Sequence, residues 1–315
     1  MSARQTMRTK VDAYVAERRL AGFDLKIEAE QLERFARFTD ASGYCGTLTV
    51  DIASRWALAS KHGRPLTAAR RIEVLRGFAR YCQSFDPKTE VPPRRLFGES
   101  HRRLTPHIFT DAEIDSLLRA ALNLTPPGGL RGSACSTIFG LIAATGLRIS
   151  EAVGLQRADI DFPTACLHIR DGKFHKARLV PLHPSAVEAL RRYAIKRDHD
   201  PLTGSRDEFF SFDHGRAASA SSLHHAFKVL RRQLGWRARG GHRLVRIHDI
   251  RHTFISRRLQ RWYREGDDLE RNILALSTYV GHAHVTDTYW YVTATPELMA
   301  IAANRLAPLR TGDVS

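Results

Sequence analysis

Residues 137–155 read TIFGLIAATGLRISEAVGL, and their reading decides the architecture of the longer part of the chain. From Thr137 to Thr145 apolar residues fall on most sides of a helix rather than along one stripe, the pattern of a helix enclosed by others. Gly146 ends it, because glycine enters the left-handed conformation that closes many helices without a Cβ penalty. Arg148 follows the break, ahead of a second helix for which Ser150 is the expected cap. An arginine beside a helix start suits an anion: its planar fork holds two phosphate oxygens and the helix dipole adds to the attraction. The more ordinary role for such a residue is an ion pair with Glu151.

Working upstream, IFTDAEIDSLLRAAL (108–122) opens this domain sharply. Thr110 and Glu113 have the spacing of a capping box, with Phe109 placed to staple onto Ile114. Before it lies FDPKTEVPPRRLFGESHRRLTPH (85–107), where Pro87, Pro92, Pro93 and Pro106 forbid a continuous helix. The first 95 or so residues carry helical periodicity over 8–21, 27–39, 49–60 and 67–84. In the last of these Ile72, Val74, Leu75, Phe78 and Tyr81 form the expected core stripe. Arg70, Arg71, Arg76 and Arg80 are expected on the solvent side, where an arginine face can also track phosphates. Downstream, CLHIRDGKFHKARLVPL (166–182) alternates like two strands around a turn at Asp171–Gly172. Helices are expected near 185–196, 222–233, 249–264 and 268–280. A last one starts at Thr295–Pro296–Glu297, an N-cap with proline at N1. The expected fold is mainly α with a small antiparallel β-sheet, in two domains: a helical domain over 1–97, a linker over 98–106 and a second domain over 107–315.

The composition narrows the function. Lysine and arginine number 49 against 33 acidic residues, a net charge of +16. Residues 1–100 carry 18 basic and 12 acidic side chains and the remainder 31 and 21, so the excess is spread over both domains rather than held in a tail. A polyphosphate partner accounts for such a charge, since each cation placed on a phosphate releases condensed counterions. Nucleic acid is the partner that the charge favours. No apolar run approaches the ~20 residues that span a bilayer, and MSARQTMRTKVDAYVAERR at the start lacks the apolar stretch of a secretory signal. No membrane association is expected, and the compartment expected is the cytoplasm. Cys45, Cys82, Cys135 and Cys166 form no CxxC pair, so neither a zinc knuckle nor a disulfide framework is indicated.

Three further segments carry reactive side chains. RIHDIRHTF (246–254) places His248 and Arg251 three apart on one helical face, the proximity a general base and a phosphate clamp require. A competing reading pairs His248 with His252 around Asp249 as a zinc helix. Arg251 counts against it, because its charge shares the face and repels a metal. YVGHAHVTDTYWYV (279–292) holds His282 and, nine residues on, Tyr291; Tyr289 and Trp290 lie beside it and read first as packing residues. RDGKFHKARLV (170–180) puts Lys173 at a hairpin tip, where a lysine can reach into a groove.

In this order and spacing, ATGLRISEAVGL, GKFHKARLVPL, HDIRHTF and VGH followed by Tyr291 closely resemble the tyrosine recombinases, or phage integrases, including the Xer type. The resemblance covers about residues 105–310, and the first 95 residues in helical character and size only. It implies a catalytic set of Arg148, Lys173, His248, Arg251, His282 and Tyr291. It also implies cutting and rejoining of double-stranded DNA through a 3′-phosphotyrosine, and a homotetramer on two DNA sites, or an assembly with a partner recombinase. The stretch TYWYVTATPELM loosely suggests a transposon-borne member. The helix-forming segment VTATPELMAIAANRLAPL would, as in the family, dock on a neighbouring protomer.

The chemistry is consistent with the residues. A phenol with its ordinary pKa near 10 is ionised about once in a thousand at pH 7, a penalty of ~4 kcal/mol. His248 can accept the proton, Arg148 and Arg251 can stabilise charge on the nonbridging oxygens, His282 can add a hydrogen bond, and Lys173 can protonate the leaving 5′ oxygen. Two arginines then do the work a metal does elsewhere, so no metal and no cofactor is implied. The alternatives are a type IB-like DNA topoisomerase, a catalytically inactive DNA-binding regulator, and the zinc hydrolase built on His248 and His252.

Overall fold

The computed structural model describes residues 6–60, 64–100, 103–170, 177–200, 203, 207–294, 299–300 and 303, with the side chains of 293 and 294 set aside. The chain divides into two compact units, Met1–Arg103 and Leu104–Ser315.

The first unit is four helices: α1 (Met7–Leu20), α2 (Lys26–Ala41), α3 (Val50–Leu58) and α4 (Pro65–Gln83). Side-chain caps start two of them, Thr6 accepting from the Thr9 N–H and Thr49 from the Ile52 N–H. Pro65 at N1 supplies a preset φ for α4. Their apolar stripes meet in one core around Leu32, Phe35, Ile52, Trp56, Ile72, Leu75 and Phe78. The expectation of an arginine face on α4 is half right. Arg70 and Arg80 are exposed, but Arg76 is buried and donates to the Pro92 carbonyl, and Arg71 reaches the Trp56 carbonyl and stacks over its ring. The proline-rich segment is the reason: it returns along α4, with Val91, Leu96 and Phe97 packed on the same core, and its carbonyls need donors.

The second unit contains α5 (Asp111–Leu122), α6 (Leu130–Thr145), α7 (Ile149–Val153), β1 (Ile160–Asp161), β2 (Cys166–Ile169), β3 (Arg178–Pro181) and α8 (Pro184–Asp198). It continues through β4 (Ser211–Phe212), β5 (Arg216–Ala217), α9 (Ala220–Gln233), α10 (His248–Glu265), α11 (Leu269–Val280) and α12 (Thr286–Ala294). Strands β1, β2 and β3 form an antiparallel sheet in that order, with Leu167 opposite Val180 and Ile169 opposite Arg178. The turn joining β2 to β3 and the start of the helix expected at Thr295 lie outside the described residues. The β4–β5 pair is a second, two-stranded sheet too short to show as alternation in the sequence.

The capping box at Thr110 and Glu113 is present in both directions. The expected cap at Ser150 is not: α7 begins two residues earlier than such a cap would start it, and the N-cap is Arg148, whose backbone N–H is met by Glu151 Oε2 at 2.9 Å. A glutamate at N3 can satisfy that donor, so the helix needs no serine cap.

Helix α6 is enclosed as its sequence requires, with Ala134, Cys135, Ile138 and Phe139 fully buried against α5, α8 and α10. Gly146 closes it at φ +66°, and a Cβ there would stand 2.5 Å from Phe254 Cδ1. Gly146→Ala therefore combines left-handed strain with overpacking and should cost about 2–4 kcal/mol. Urea unfolding measures this; an unchanged midpoint would show that the turn tolerates a side chain.

Helix α10 joins two apolar clusters. Its Ile250 belongs to the main core around α6, while Phe254, Ile255 and Leu259 join Ile273, Leu276, Val280 and Tyr291 in a smaller one. Helices α11 and α12 thus pack on α10, and α11 also contacts β3.

Candidate active site

Three arginines converge on the C-terminal end of α11. Arg178 Nε donates to the Tyr279 carbonyl at 2.8 Å, Arg251 Nη2 to the Val280 carbonyl at 2.8 Å, and Arg148 Nη2 to the Gly281 carbonyl. The last carbonyls of a helix lack intrahelical partners and form the negative end of its dipole, so they receive cations well. Gly281 makes the convergence possible. It sits at φ +70°, and a Cβ would come within 2.8 Å of Arg178 Nη1 and 3.2 Å of Arg148 Nη1.

Glu151 holds the cluster from the other side. Arg178 binds it through both guanidinium nitrogens, at 3.0 and 2.8 Å, and Arg148 Nη1 adds a third contact at 2.8 Å. Burial alone would raise this carboxyl; the hydrogen bonds from Arg178 and the Arg148 N–H outweigh that and bring it down to about 2. Arg251, on α10, is 2% exposed and also donates to the Gly146 carbonyl at 2.6 Å. Burial and the neighbouring Arg148 lower it to about 10, while Tyr291 and Glu151 oppose the shift, and it remains a cation at neutral pH. Two of its five N–H donors are taken by these carbonyls.

The histidines surround the same point. His248, Arg251 and His252 share one face of α10 at i, i+3 and i+4, and the two imidazoles meet edge to face with centroids 4.6 Å apart. His282 follows the α11 end, its Nδ1 2.7 Å from Thr288 Oγ1. Its ring lies parallel to that of Tyr291, 10° between planes at 6.4 Å. Burial, then the surrounding cations, hold His248 near 4, His282 near 3 and His252 near 2. All three are neutral at pH 7, able to accept a proton or donate one N–H.

Tyr291 lies on α12, 3% exposed, with its hydroxyl 2.6 Å from Nδ1 of His252. Tyr289, two residues earlier, is 44% exposed, so it is not the packing residue its aromatic neighbours suggested.

The structure thus brings together five of the six residues singled out in the sequence: Arg148, His248, Arg251, His282 and Tyr291. Lys173 lies outside the described residues. Sequence reasoning missed the hydroxyl's partner, since His252 was weighed only as a zinc ligand, and it missed Arg178. A signal for Arg178 existed: it shares a strand face with buried Val180, an inward position that demands a partner for a charge. The zinc reading fits poorly, because His252 Nδ1 is engaged by the phenol, guanidiniums crowd both imidazoles, and no group of three metal-binding side chains occurs among the described residues.

Residues 108–297 match the phage integrase family. Two Sinorhizobium fredii proteins described as integrase/recombinase are similar over almost their whole length. The protein y4rB is 38% identical over 96% of this chain and 97% of its own, and y4rE is 34% identical over 94% of each. The tyrosine recombinase XerC of Chlamydia trachomatis is 29% identical over 75% of this chain and 70% of its own. Among solved structures, the Tn1549 transposon integrase bound to transposon right-end DNA shares the fold at 18% identity. Its TM-score is 0.70, and the match covers 96% of this chain and 100% of that one. The XerH recombinase on its difH substrate gives a TM-score of 0.65 over 88% and 78%. The chain belongs to the phage integrase family of tyrosine recombinases, enzymes that cleave and rejoin DNA.

Proposed function

We propose that the chain recombines DNA site-specifically, with Tyr291 as nucleophile and Arg148, Lys173, His248, Arg251 and His282 as the other catalytic residues. The observation that carries this reading is a buried phenol beside a cluster of three guanidiniums gathered around Glu151. Among the described residues Glu151 is the carboxylate that Arg148 and Arg178 bond and that acts on Arg251, so a phosphate dianion-like transition state supplies further negative charge. Arg148, whose side chain is 20% exposed, is the outermost of the three.

In the reaction Tyr291 Oη gives up its hydrogen bond to His252 and attacks phosphorus while its proton passes to His248. The bond from phosphorus to the 5′ oxygen breaks, and Lys173 protonates that oxygen. Remaining guanidinium donors of Arg148 and Arg251 hold the nonbridging oxygens. His282, with Nδ1 held by Thr288, offers Nε2 to the same group. The product is a 3′-phosphotyrosine that keeps the bond energy for rejoining to another 5′ hydroxyl.

In the first unit Arg80, Arg94 and Arg95 border a cavity of about 490 Å³ together with Glu73 and Glu99, a surface for the DNA backbone. Exchange between two duplexes calls for four active sites, hence a homotetramer or an assembly with a partner recombinase. A head-to-tail contact closing into a ring is the geometry such a set requires. No described helix is long and apolar enough to cross a membrane, and the cytoplasm is the compartment where this substrate is met. A transposon-borne element is the source that the likeness to the Tn1549 integrase favours.

The test is to incubate the full chain with a randomised-sequence duplex pool in EDTA and to trap protein–DNA adducts by denaturation. The trapped DNA is sequenced and the modified peptide mapped by mass spectrometry. Adducts at Tyr291 on a recurring sequence are expected without added metal. Cleavage that appears only when zinc or magnesium is restored would reject the assignment.

A further inference from the structure

We propose that His252 is a positioning residue for the nucleophile: its Nδ1 holds the Tyr291 hydroxyl inside the arginine-lined site. The inference rests on the reading of Tyr291 as nucleophile and adds a residue outside the six assigned from the sequence.

The contact is short and specific. At 2.6 Å it is a direct hydrogen bond. We take the phenol as the donor and Nδ1 as the acceptor, the arrangement open to a neutral imidazole whose proton sits on Nε2. Burial and the nearby His248, Arg246 and Arg251 keep that imidazole uncharged. A protonated ring would present N–H at Nδ1 and reverse the bond.

His252 is itself well fixed. It lies in the first turns of α10, with His248 edge-on at 4.6 Å and Trp290 at 6.2 Å. The neighbouring Arg251 is anchored to two carbonyls. The helix bearing Tyr291 is less secured, since it packs on the small cluster of α10 and α11 rather than on the main core. A phenol on such a helix needs a local hold if Oη is to stay near the guanidiniums, and a shift of about 1 Å in a reacting group costs on the order of 100-fold in rate. His252 supplies that hold from a helix that also carries His248 and Arg251, so hydroxyl, base and clamp share one rigid reference.

Two readouts test this, one of them independent of DNA. Full-length protein is treated with tetranitromethane, and nitration of Tyr291 and Tyr289 is resolved by peptide fragmentation, Tyr289 serving as the exposed internal reference. In the native chain Tyr289 should react at least about tenfold faster. His252→Phe, which keeps a ring but no acceptor, should bring the two within about threefold, whereas His252→Asn, which keeps an acceptor near the Nδ1 position, should preserve the native ratio. On a nicked duplex recovered from the randomised pool, His252→Phe should slow single-turnover adduct formation about 100-fold with DNA affinity within about threefold, and His252→Asn should restore most of the rate. A native nitration ratio in His252→Phe would overturn the inference, as would equal losses in the Phe and Asn variants, which would mark a packing role. A native protein that forms no adduct at Tyr291 would instead refute the nucleophile assignment, leaving the nitration result to judge His252 alone.

Discussion

Tyr291→Phe should abolish the covalent protein–DNA adduct while leaving DNA affinity within about twofold. The substitution removes one oxygen and keeps the ring, so the apolar contacts of α12 with Phe254, Ile273, Leu276 and Val280 persist. The lost hydroxyl bonds the uncharged imidazole of His252, and deleting one such bond costs about 1 kcal/mol of stability. DNA is held by cations elsewhere in the site, so binding survives. Chemistry does not, because phenylalanine offers no atom for phosphorus. Tyr289→Phe is the control: that hydroxyl is exposed and outside the histidine and arginine cluster, and the variant should cleave at the native rate. Denaturing gel mobility with labelled DNA separates the outcomes; an adduct retained by Tyr291→Phe would remove this residue from the mechanism.

Glu151→Ala should be the most destabilising single change in the site, by about 3–5 kcal/mol, because removing one partner of a buried ion pair leaves charges uncompensated. Its side chain is 2% exposed and is bound by Arg178 through two nitrogens and by Arg148 through a third. Without it the three guanidiniums lose the carboxylate they share. For a unit of about 200 residues the loss lowers the melting temperature on the order of 10 °C. Adduct formation should fall as well, since Arg148 loses the contact that orients it. The same carboxylate gives a pH signature. Its pKa in the folded chain is about 2, below the ordinary 4.5. Its contribution is therefore complete above about 4.5 and is lost as pH falls from there towards 2. Glu151→Ala should flatten the acid limb of the stability profile in that window. A native melting temperature and an unaltered acid limb together would show that the cluster does not depend on Glu151.

The sequence was most legible where local rules act alone. The enclosed character of 137–145 and the glycine break at Gly146 follow from patterning and backbone sterics. So do the cap at Thr110 and the helices of the first unit. The i, i+3 spacing of His248 and Arg251 likewise requires only that the segment be helical. Reading failed where the partner lies far along the chain. Arg76 on α4 looked solvent-facing because the residues that cover it begin at Val91. Ser150 looked like a cap because the alternative, a glutamate reaching back to Arg148, is fixed by pairings with Arg178 as well.

By itself, then, the order of residues determined two helical units with a small antiparallel sheet and a net positive charge suited to DNA, and it singled out Arg148, His248, Arg251, His282 and Tyr291 as candidates. Only the tertiary structure decided how those residues meet. Three consecutive carbonyls at the end of α11 collect arginines from three separate elements, and Gly281 leaves room for them. It also decided that the phenol rests on His252, 39 positions away. The physical reason is the range of the forces: capping and periodicity act within one or two turns, whereas ion pairs and hydrogen bonds across a core are set by which helix ends the packing brings together.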